Sequence, residues 1–248
     1  MRLDGKTTVL TGALGSLGQA QARTLGEAGA QLILLDRPEA DPGPLLAELE
    51  SRGVEATYVG HDLADLAGCA LRAREVADTM GGPDVLINNA ALIINKPHQQ
   101  FTLDEYEEQI RVNSTAPFAL AQALAPRMAE KGYGKIVNFC SLTLNGRWDG
   151  YVPYVASKGA LFGLTKSLAR ELGVHGIRVN AVSPGSIISA AEKRVFGDRL
   201  AQYNEFVLEN QCLKFRGQPA DVANLVLFLA APESDFITGQ NIFIDGGW

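Results

Sequence analysis

Ser141, Tyr154 and Lys158 bring a hydroxyl, a phenol and an amine into one short stretch, FCSLTLNGRWDGYVPYVASKGAL. The tyrosine and the lysine are one helical turn apart, so on a helix their side chains share a face. A phenol has a pKa of about 10 and is a poor base near neutral pH, but a neighbouring ammonium favours the phenolate. The group could therefore move a proton to or from an alcohol or ketone oxygen, with Ser141 as hydrogen-bond donor. A tyrosine and a lysine at this spacing are also common on helix surfaces, so the pair needs support from other motifs.

The elements that must position these residues alternate along the chain. Short apolar runs such as KTTVLTG, QLILLD and DVLINNA are typical of strands, and SLGQAQARTLGEAGA is typical of a helix. Strands between longer helices predict βαβ units and a parallel sheet. We expect one α/β domain over residues 1–248, with a Rossmann-type doubly wound sheet of about seven parallel strands flanked by helices. One long helix is expected from Leu103 to Ala129.

The composition excludes several classes of function. Of 248 residues, 46% are hydrophobic and 20% charged, which is enough apolar material for a large core. The net charge of -6 offers no general attraction to nucleic acid or anionic membranes. The start MRLDGKTTVL lacks the apolar segment of a secretory signal, and no apolar run approaches the roughly 20 residues that span a bilayer. We therefore expect a cytoplasmic protein with no nucleic-acid or membrane partner.

The cysteines and histidines predict no metal site. Cys69, Cys140 and Cys212 are widely spaced and odd in number, which favours free buried thiols over disulfides or zinc ligands. The three histidines are scattered without ligand spacing.

Three glycines, Gly12, Gly15 and Gly18, lie directly between the first predicted strand and the first predicted helix. Glycine lets the backbone turn sharply and approach a pyrophosphate, while the helix N-terminus supplies free N–H groups and positive potential. This position favours a dinucleotide site over a merely tight turn.

Asp36 ends the second predicted strand, in LILLDRP. A carboxylate there can accept hydrogen bonds from the adenosine ribose and would repel a 2′-phosphate, which favours NAD over NADP. Arg37 follows directly and could instead bind that phosphate. An aspartate at a strand end is otherwise a common turn residue.

Jointly, these motifs resemble the classical short-chain dehydrogenase/reductase family over nearly the whole chain. The family pattern TGxxxGxG corresponds to TGALGSLG at residues 11–18, NNAG to NNAA at 88–91, and YxxxK to residues 154–158. The serine, an asparagine in VNSTAPF, a Pro-Gly pair and the ending ITGQNIFIDGG are also family-like. The resemblance implies an NAD(P)-dependent oxidoreductase.

The resemblance also implies residue roles. Tyr154 would be the general acid/base, Lys158 would lower its pKa and hold the nicotinamide ribose, and Ser141 would orient the substrate oxygen. Asn113 would support a water in a proton relay through Lys158, or could simply bond backbone within its helix. The implied cofactor-binding residues are Gly12, Gly15, Ser16, Leu17, Gly18, Asp36, Asp62, Leu63, Asn89, Tyr154, Lys158, Pro184, Gly185 and Ile187.

Within that set, Asp62 and Leu63 would meet the adenine and Ile187 the carboxamide end. Asn89 would line the cofactor groove, or could cap a strand. The chain departs from the family pattern twice. Ser16 stands where the family has a glycine, which could reshape the loop or place a hydroxyl against phosphate, and Ala91 replaces the last glycine of NNAG.

The substrate pocket is expected above the carboxyl edge of the sheet. Its predicted walls are residues 92–96, 142–151 and 186–215, the last being an excursion typical of a substrate lid or of ordinary packed structure. The candidate substrate residues are Ser141, Asn145, Arg147, Trp148 and Tyr151. They would suit a cyclic or polyol substrate with a polar or anionic group held by Arg147. Alternatively, Arg147 and Asp149 form a solvated or subunit-contact pair.

Self-association is also expected. The two long predicted helices, residues 103–129 and 151–173, carry apolar residues on more than one face. The family resemblance implies a homotetramer or homodimer built partly on those helices. The apolar ending NIFIDGGW could add a second contact, with Trp248 as anchor.

The sequence thus predicts an NAD-dependent oxidoreductase that interconverts a secondary alcohol and a ketone, with Tyr154 as general acid/base. An NADPH-linked carbonyl reductase or an epimerase-like variant is the alternative among enzymes. A non-catalytic dinucleotide-binding regulator is the alternative outside them, and the joint presence of Ser141, Tyr154, Lys158 and Asn113 argues against it. The sequence does not identify the substrate.

Overall fold

Seven parallel strands form one sheet in the computed structural model, which describes residues 1–146 and 148–248. The strands are β1 (Thr7–Thr11), β2 (Gln31–Asp36), β3 (Ala56–Gly60), β4 (Val85–Asn88), β5 (Gly134–Phe139), β6 (Ile177–Pro184) and β7 (Asn241–Ile244). Their order is β3-β2-β1-β4-β5-β6-β7, and every neighbouring pair is parallel. This confirms the predicted doubly wound sheet.

Helices cover both faces of the sheet. The α-helices in the described residues are α1 (Ser16–Glu27), α2 (Gly43–Ser51), α3 (Leu66–Thr79), α4 (Leu103–Ile110), α5 (Ala116–Glu130), α6 (Val152–Leu172), α7 (Ala190–Phe196), α8 (Leu200–Asn210) and α9 (Pro219–Ala230). Successive residues of a strand point to opposite faces. Leu10 and Leu34 therefore pack towards α1 and α9, while Val9 and Ile33 pack towards α3 and α5. Burial on both sides explains why these strands are continuous apolar runs.

The long helix expected from Leu103 to Ala129 is present but interrupted. It begins at a capping box in which Thr102 Oγ1 accepts from the Glu105 N–H (3.2 Å) and Glu105 accepts from the Thr102 N–H (2.8 Å). A π-helical turn, Arg111–Thr115, separates α4 from α5 and contains Asn113. Such turns insert an extra residue and often lie at functional sites, and helical periodicity in the sequence gave no sign of it.

The strand order creates a crevice at the carboxyl edge of the sheet. From β1 the chain builds outward through β2 and β3 on one side and through β4 to β7 on the other. At such a switch point the loops after adjacent strands diverge and leave room for a ligand. Asp36 ends β2, Asn89 follows β4, Ser141 closely follows β5, and Gly185 follows β6, so the candidate site residues share this edge.

The excursion at residues 186–215 consists largely of α7 and α8. Near its start, Ile187 forms an isolated bridge with Gly217. At its end, Cys212 N–H donates to Gly247 O and Leu213 N–H donates to Gly246 O, both at 2.9 Å. Both ends of the excursion are therefore tied to the body of the domain.

The burial of one cysteine differs from the prediction. Cys69 and Cys140 are buried free thiols, but Cys212 is exposed because it lies in the surface loop that follows α8. Among the described residues, no group of three or more metal-ligating side chains is placed to hold an ion. No helix in the same residues combines the length and apolarity needed to cross a membrane.

Candidate active site

Close packing of the glycine loop explains two of its glycines. Gly12 has φ +63°, and a Cβ there would lie 2.8 Å from Ala90 Cα. A Cβ on Gly18 would lie 2.1 Å from Gly12 O. Only glycine fits at both positions, so the loop turns tightly at the start of α1. The N–H groups of the first helical turn have no intrahelical partners, and this geometry fits the pyrophosphate of a dinucleotide.

Asn89 fastens this loop. Its Nδ2 donates to Thr11 O and to Gly12 O, both at 3.0 Å, and its Oδ1 accepts from Gln21 Nε2 at 2.9 Å. The Asn89 side chain therefore holds the backbone of the glycine loop, a role that the sequence did not predict. Gln21, a buried partner in this arrangement, was not predicted either.

The Asp36 carboxylate contacts the same loop. One oxygen accepts from Leu14 N–H and the other from Arg37 N–H, both at 2.8 Å. The exposed Arg37 guanidinium lies 3.4 Å from Glu39. The carboxylate thus lies beside the glycine loop and retains lone pairs for further donors, while the neighbouring guanidinium is directed to an exposed acidic partner.

The other predicted cofactor residues follow the ends of β3 and β6. Asp62 is exposed and accepts from Ala64 N–H at 2.9 Å, whereas Leu63 is buried. Pro184 ends β6, Gly185 N–H donates to Ile244 O at 2.9 Å, and Ile187 is buried. Their roles towards a dinucleotide remain predictions.

Lys158 is buried against the end of β5. Its Nζ donates to Phe139 O at 2.6 Å and lies 5.5 Å from the centre of the Tyr154 ring. The side chain is 1% exposed. Burial disfavours the charged form and lowers the pKa of Lys158 to about 8. The amine is therefore still mostly protonated at pH 7.

Tyr154 lies on α6 one turn before Lys158, and the residue is 7% exposed. Burial raises the pKa of Tyr154 to about 12, and hydrogen bonding from Ser141 opposes that rise. In the protein by itself the phenol is protonated at neutral pH. It needs further positive charge nearby before it can act as a base.

Thr143 orients Ser141 and was missed by sequence reasoning. Ser141 Oγ accepts from Thr143 N–H at 3.1 Å and from Thr143 Oγ1 at 2.9 Å. With its acceptor sites engaged, the serine hydroxyl can donate its own hydrogen to a further oxygen. A serine followed two residues later by threonine is a possible turn signal in sequence, but it is too frequent to single out.

Asn113 connects the segment after β4 to α6. Its Oδ1 accepts from Leu92 N–H at 2.7 Å, and its Nδ2 donates to Leu92 O at 2.9 Å and to Ser157 Oγ at 3.0 Å. Ser157 Oγ in turn donates to Tyr154 O at 2.7 Å. The side-chain amide is therefore fully engaged in holding the site together, and the predicted water relay stays a prediction. Ser157 was another residue that the sequence did not reveal.

The candidate substrate residues are placed differently from one another. Asn145 is exposed, and the ring of Tyr151 lies 6.1 Å from that of Tyr154. Trp148 stacks on Trp248, with ring centres 4.9 Å apart. The proposed anion anchor, Arg147, lies outside the described residues.

An aromatic cluster joins the walls of the candidate pocket. Besides Trp248, Trp148 contacts Phe206 in an edge-on geometry (5.9 Å) and Tyr203 (6.2 Å), both from α8. Trp248, predicted as an anchor for another subunit, is thus engaged within its own chain. Asn95 Nδ2 donates to Asp149 O at 3.1 Å, which joins the walls at residues 92–96 and 142–151.

Comparisons with known proteins agree with this geometry. A family model described as enoyl-(acyl carrier protein) reductase matches residues 12–248. The chain is also 35% identical over 246 residues to an uncharacterized oxidoreductase of Thermotoga maritima, which covers 99% of this chain and 96% of that protein. The chain belongs to the classical short-chain dehydrogenase/reductase family.

Other members of the family indicate the type of reaction. The chain is 30% identical over 245 residues to 5-keto-D-gluconate 5-reductase of Escherichia coli, covering 99% of this chain and 96% of that protein. The crystal structure of 3-oxoacyl (acyl-carrier-protein) reductase from Agrobacterium tumefaciens with NADP bound has a TM-score of 0.93 at 26% identity, covering 100% and 95% of the two chains. This short-chain dehydrogenase/reductase is therefore an oxidoreductase of alcohols and ketones that uses a dinucleotide.

Proposed function

We propose that the protein is an NAD-dependent dehydrogenase that interconverts a secondary alcohol and a ketone, with Tyr154 as general acid/base. The observation that carries this proposal is the buried Tyr154–Lys158 pair beside Ser141, at the same sheet edge as the glycine loop. Burying a phenol and an ammonium lowers the stability of the fold. A role in proton transfer to a substrate oxygen accounts for their burial here.

In the proposed reaction each residue has one task. The Ser141 hydroxyl donates to the substrate oxygen and holds it near the Tyr154 phenol. The phenolate accepts the proton of the alcohol, or the phenol gives one to the ketone in reverse. The glycine loop and Lys158 would hold oxidised NAD, which would supply a hydride acceptor for the alcohol carbon and a positive charge in the site.

Lys158 and the oxidised cofactor would together favour the phenolate of Tyr154. In the protein by itself, mainly because of burial, the pKa is about 12 for Tyr154 and about 8 for Lys158. A phenol with so high a pKa is a poor proton acceptor at neutral pH. Positive charge within about 4–6 Å lowers the pKa of a phenol. We infer that Lys158 and the oxidised cofactor together bring Tyr154 into a useful range. Alcohol oxidation should consequently rise with pH, and ketone reduction should fall.

The experiment that tests the proposal is a panel of secondary alcohols, assayed for reduced cofactor with NAD and NADP in parallel. The panel should begin with polyols and sugar acids, because a relative is named for 5-keto-D-gluconate, and continue to cyclic alcohols and aryl carbinols. NAD-linked turnover supports the proposal. Turnover with NADP alone would favour a carbonyl reductase, and dinucleotide binding without turnover on any alcohol would favour a regulator.

We expect Asp36→Asn to shift the cofactor preference from NAD towards NADP by about 10- to 100-fold, since a charge-assisted hydrogen bond contributes about 1.5–3 kcal/mol. Asparagine keeps an acceptor for Leu14 N–H but removes the charge that repels a 2′-phosphate. The measurement is the ratio of kcat/KM for NAD to that for NADP.

Glu55→Gln is the matched control for this substitution. It removes an exposed carboxylate that directly precedes β3, at the sheet edge opposite the glycine loop. An unchanged cofactor ratio in Asp36→Asn, or an equal shift in Glu55→Gln, would contradict the proposed role of Asp36.

We also propose that the chain self-associates through the α4–α6 region. Large apolar side chains on these helices are exposed in the single chain, namely Leu103, Tyr106, Phe118 and Val152. Light scattering should give a mass of two or four chains, and Phe118→Lys should shift the population towards the monomer. A 26.5 kDa species alone in the unmodified protein would refute association.

A further inference from the structure

Ser16 connects two parts of the domain that are 174 residues apart in sequence. Its Oγ accepts a hydrogen bond from Ala190 N–H at 3.0 Å. Ser16 lies within the glycine loop and is the first residue of α1, and Ala190 is the first residue of α7 in the excursion. In the described part of the chain, this is the one hydrogen bond between residues 12–18 and residues 186–215.

The contact depends on the departure from the family pattern at this position. A glycine in place of Ser16 would have no side chain to accept from Ala190. At the start of α7, the Ser189 side chain accepts from Glu192 N–H at 3.1 Å and not from Ala190 N–H. Ser16 supplies an acceptor for Ala190 N–H from another part of the fold.

The Ser16 hydroxyl has capacity left after this contact. A hydroxyl can accept two hydrogen bonds and donate one. Ala190 occupies one acceptor position, which leaves the O–H free to donate at the N-terminus of α1. This is where the fold favours the pyrophosphate of a dinucleotide. One side chain can therefore contact the cofactor and the excursion at the same time.

A second set of polar contacts in the excursion centres on Arg216. Arg216 Nη1 donates to Asn204 Oδ1 at 2.7 Å, Nη2 donates to Ser186 O at 3.1 Å, and the guanidinium forms an ion pair with Glu192. These bonds hold α7 and α8 to each other and to the end of β6. They do not involve the glycine loop.

We propose that Ser16 is a positioning residue that couples the excursion to the dinucleotide loop, so that cofactor binding orders the substrate side of the pocket. This inference rests on the proposed function, because it assumes a dinucleotide at α1 and a substrate beneath the excursion. Coupling between two sites is reciprocal, so a substrate held under the excursion also strengthens cofactor binding.

The test compares two substitutions of Ala190. Ala190→Pro removes the N–H that Ser16 accepts, yet proline is well tolerated at the first position of a helix. Ser189 is already extended, at φ -153° and ψ 161°, as a residue before proline requires. Ala190→Gly keeps the N–H but weakens the helix. If the hydrogen bond to Ser16 matters, Ala190→Pro has the larger effect. If only the stability of α7 matters, Ala190→Gly has the larger effect.

The readout is tryptic cleavage at the exposed Lys193, Arg194 and Arg199, with and without saturating NAD. In the unmodified protein, NAD should slow cleavage about fivefold, because a hydrogen bond of about 1 kcal/mol from the Ser16 hydroxyl to NAD would hold Ser16 in the orientation that accepts from Ala190. Ala190→Pro and Ser16→Gly should lose most of this protection, and Ala190→Gly should keep it. In turnover, Ala190→Pro should raise the substrate KM about fivefold and leave kcat within about twofold.

Two results would overturn the coupling. One is a lack of NAD protection in the unmodified protein, and the other is weaker protection in Ala190→Gly than in Ala190→Pro. The proteolysis assay needs NAD but no substrate, so it fails or succeeds independently of the alcohol panel. If the protein turns over alcohols with NAD but NAD does not slow tryptic cleavage, the proposed function is supported and the role of Ser16 is refuted.

Discussion

Replacing Tyr154 with phenylalanine should lower kcat for alcohol oxidation by about 10²- to 10⁴-fold, the range that a positioned general acid/base contributes. Phenylalanine fills the same buried volume and removes only the hydroxyl that exchanges the proton. Ser141 and Lys158 keep their hydrogen bonds to Thr143 and Phe139. The affinity for NAD should stay within a few-fold, because the glycine loop and Asp36 lie elsewhere on the sheet edge.

The measurements are steady-state kinetics with the best alcohol of the panel and calorimetric titration with NAD. Tyr133→Phe is a matched control. It removes a hydroxyl from a half-buried tyrosine whose Oη lies 3.5 Å from Ala230 O. Tyr133 immediately precedes β5, at the sheet edge opposite the site. Tyr133→Phe should retain normal turnover. If Tyr154→Phe kept more than about a tenth of the activity, the acid/base assignment would be wrong.

Substituting Lys158 by methionine should also cost about 10²-fold or more in kcat, because the phenolate of Tyr154 loses its nearest positive charge. Methionine has a similar length and suits an interior position. The folded state should survive, since methionine carries no charge to be desolvated. The pH at which oxidation reaches half its maximum should move upward, which separates an electrostatic role from a merely structural one.

The stability of this variant provides a second measurement. The pKa of Lys158 falls from 10.5 to about 8 on folding, so between these values the unfolded chain binds more protons than the folded one. In that window Lys158 makes the free energy of unfolding rise with pH. The methionine variant lacks this contribution. Its Tm relative to the unmodified protein should therefore be highest near pH 7 and should decline towards pH 10.

Equal slopes of Tm against pH for the two proteins would contradict the burial of a charged Lys158. Lys166→Met provides a control, because Lys166 lies on the same helix but is exposed. Its substitution should change neither the slope nor the activity.

The sequence by itself determined the sheet, the glycine loop and the candidate reactive residues. Runs such as QLILLD and the helical spacing of Tyr154 and Lys158 are local properties, because each depends on residues within one strand or a few turns of helix. Several family motifs, such as the glycine loop after β1 and the serine after β5, follow the ends of strands. Consequently, the doubly wound fold could be predicted without any knowledge of distant contacts.

Only the tertiary structure shows which contacts between elements position these residues. Asn113 joins Leu92 to Ser157, Asn89 fastens the backbone of the glycine loop, and Trp148 stacks on Trp248. The link from Ser16 to Ala190 spans most of the chain. Such contacts depend on how elements pack across the sheet edge, and periodicity within one element carries no information about them. Sequence patterns therefore predicted which groups could react, and packing determined which residues position them.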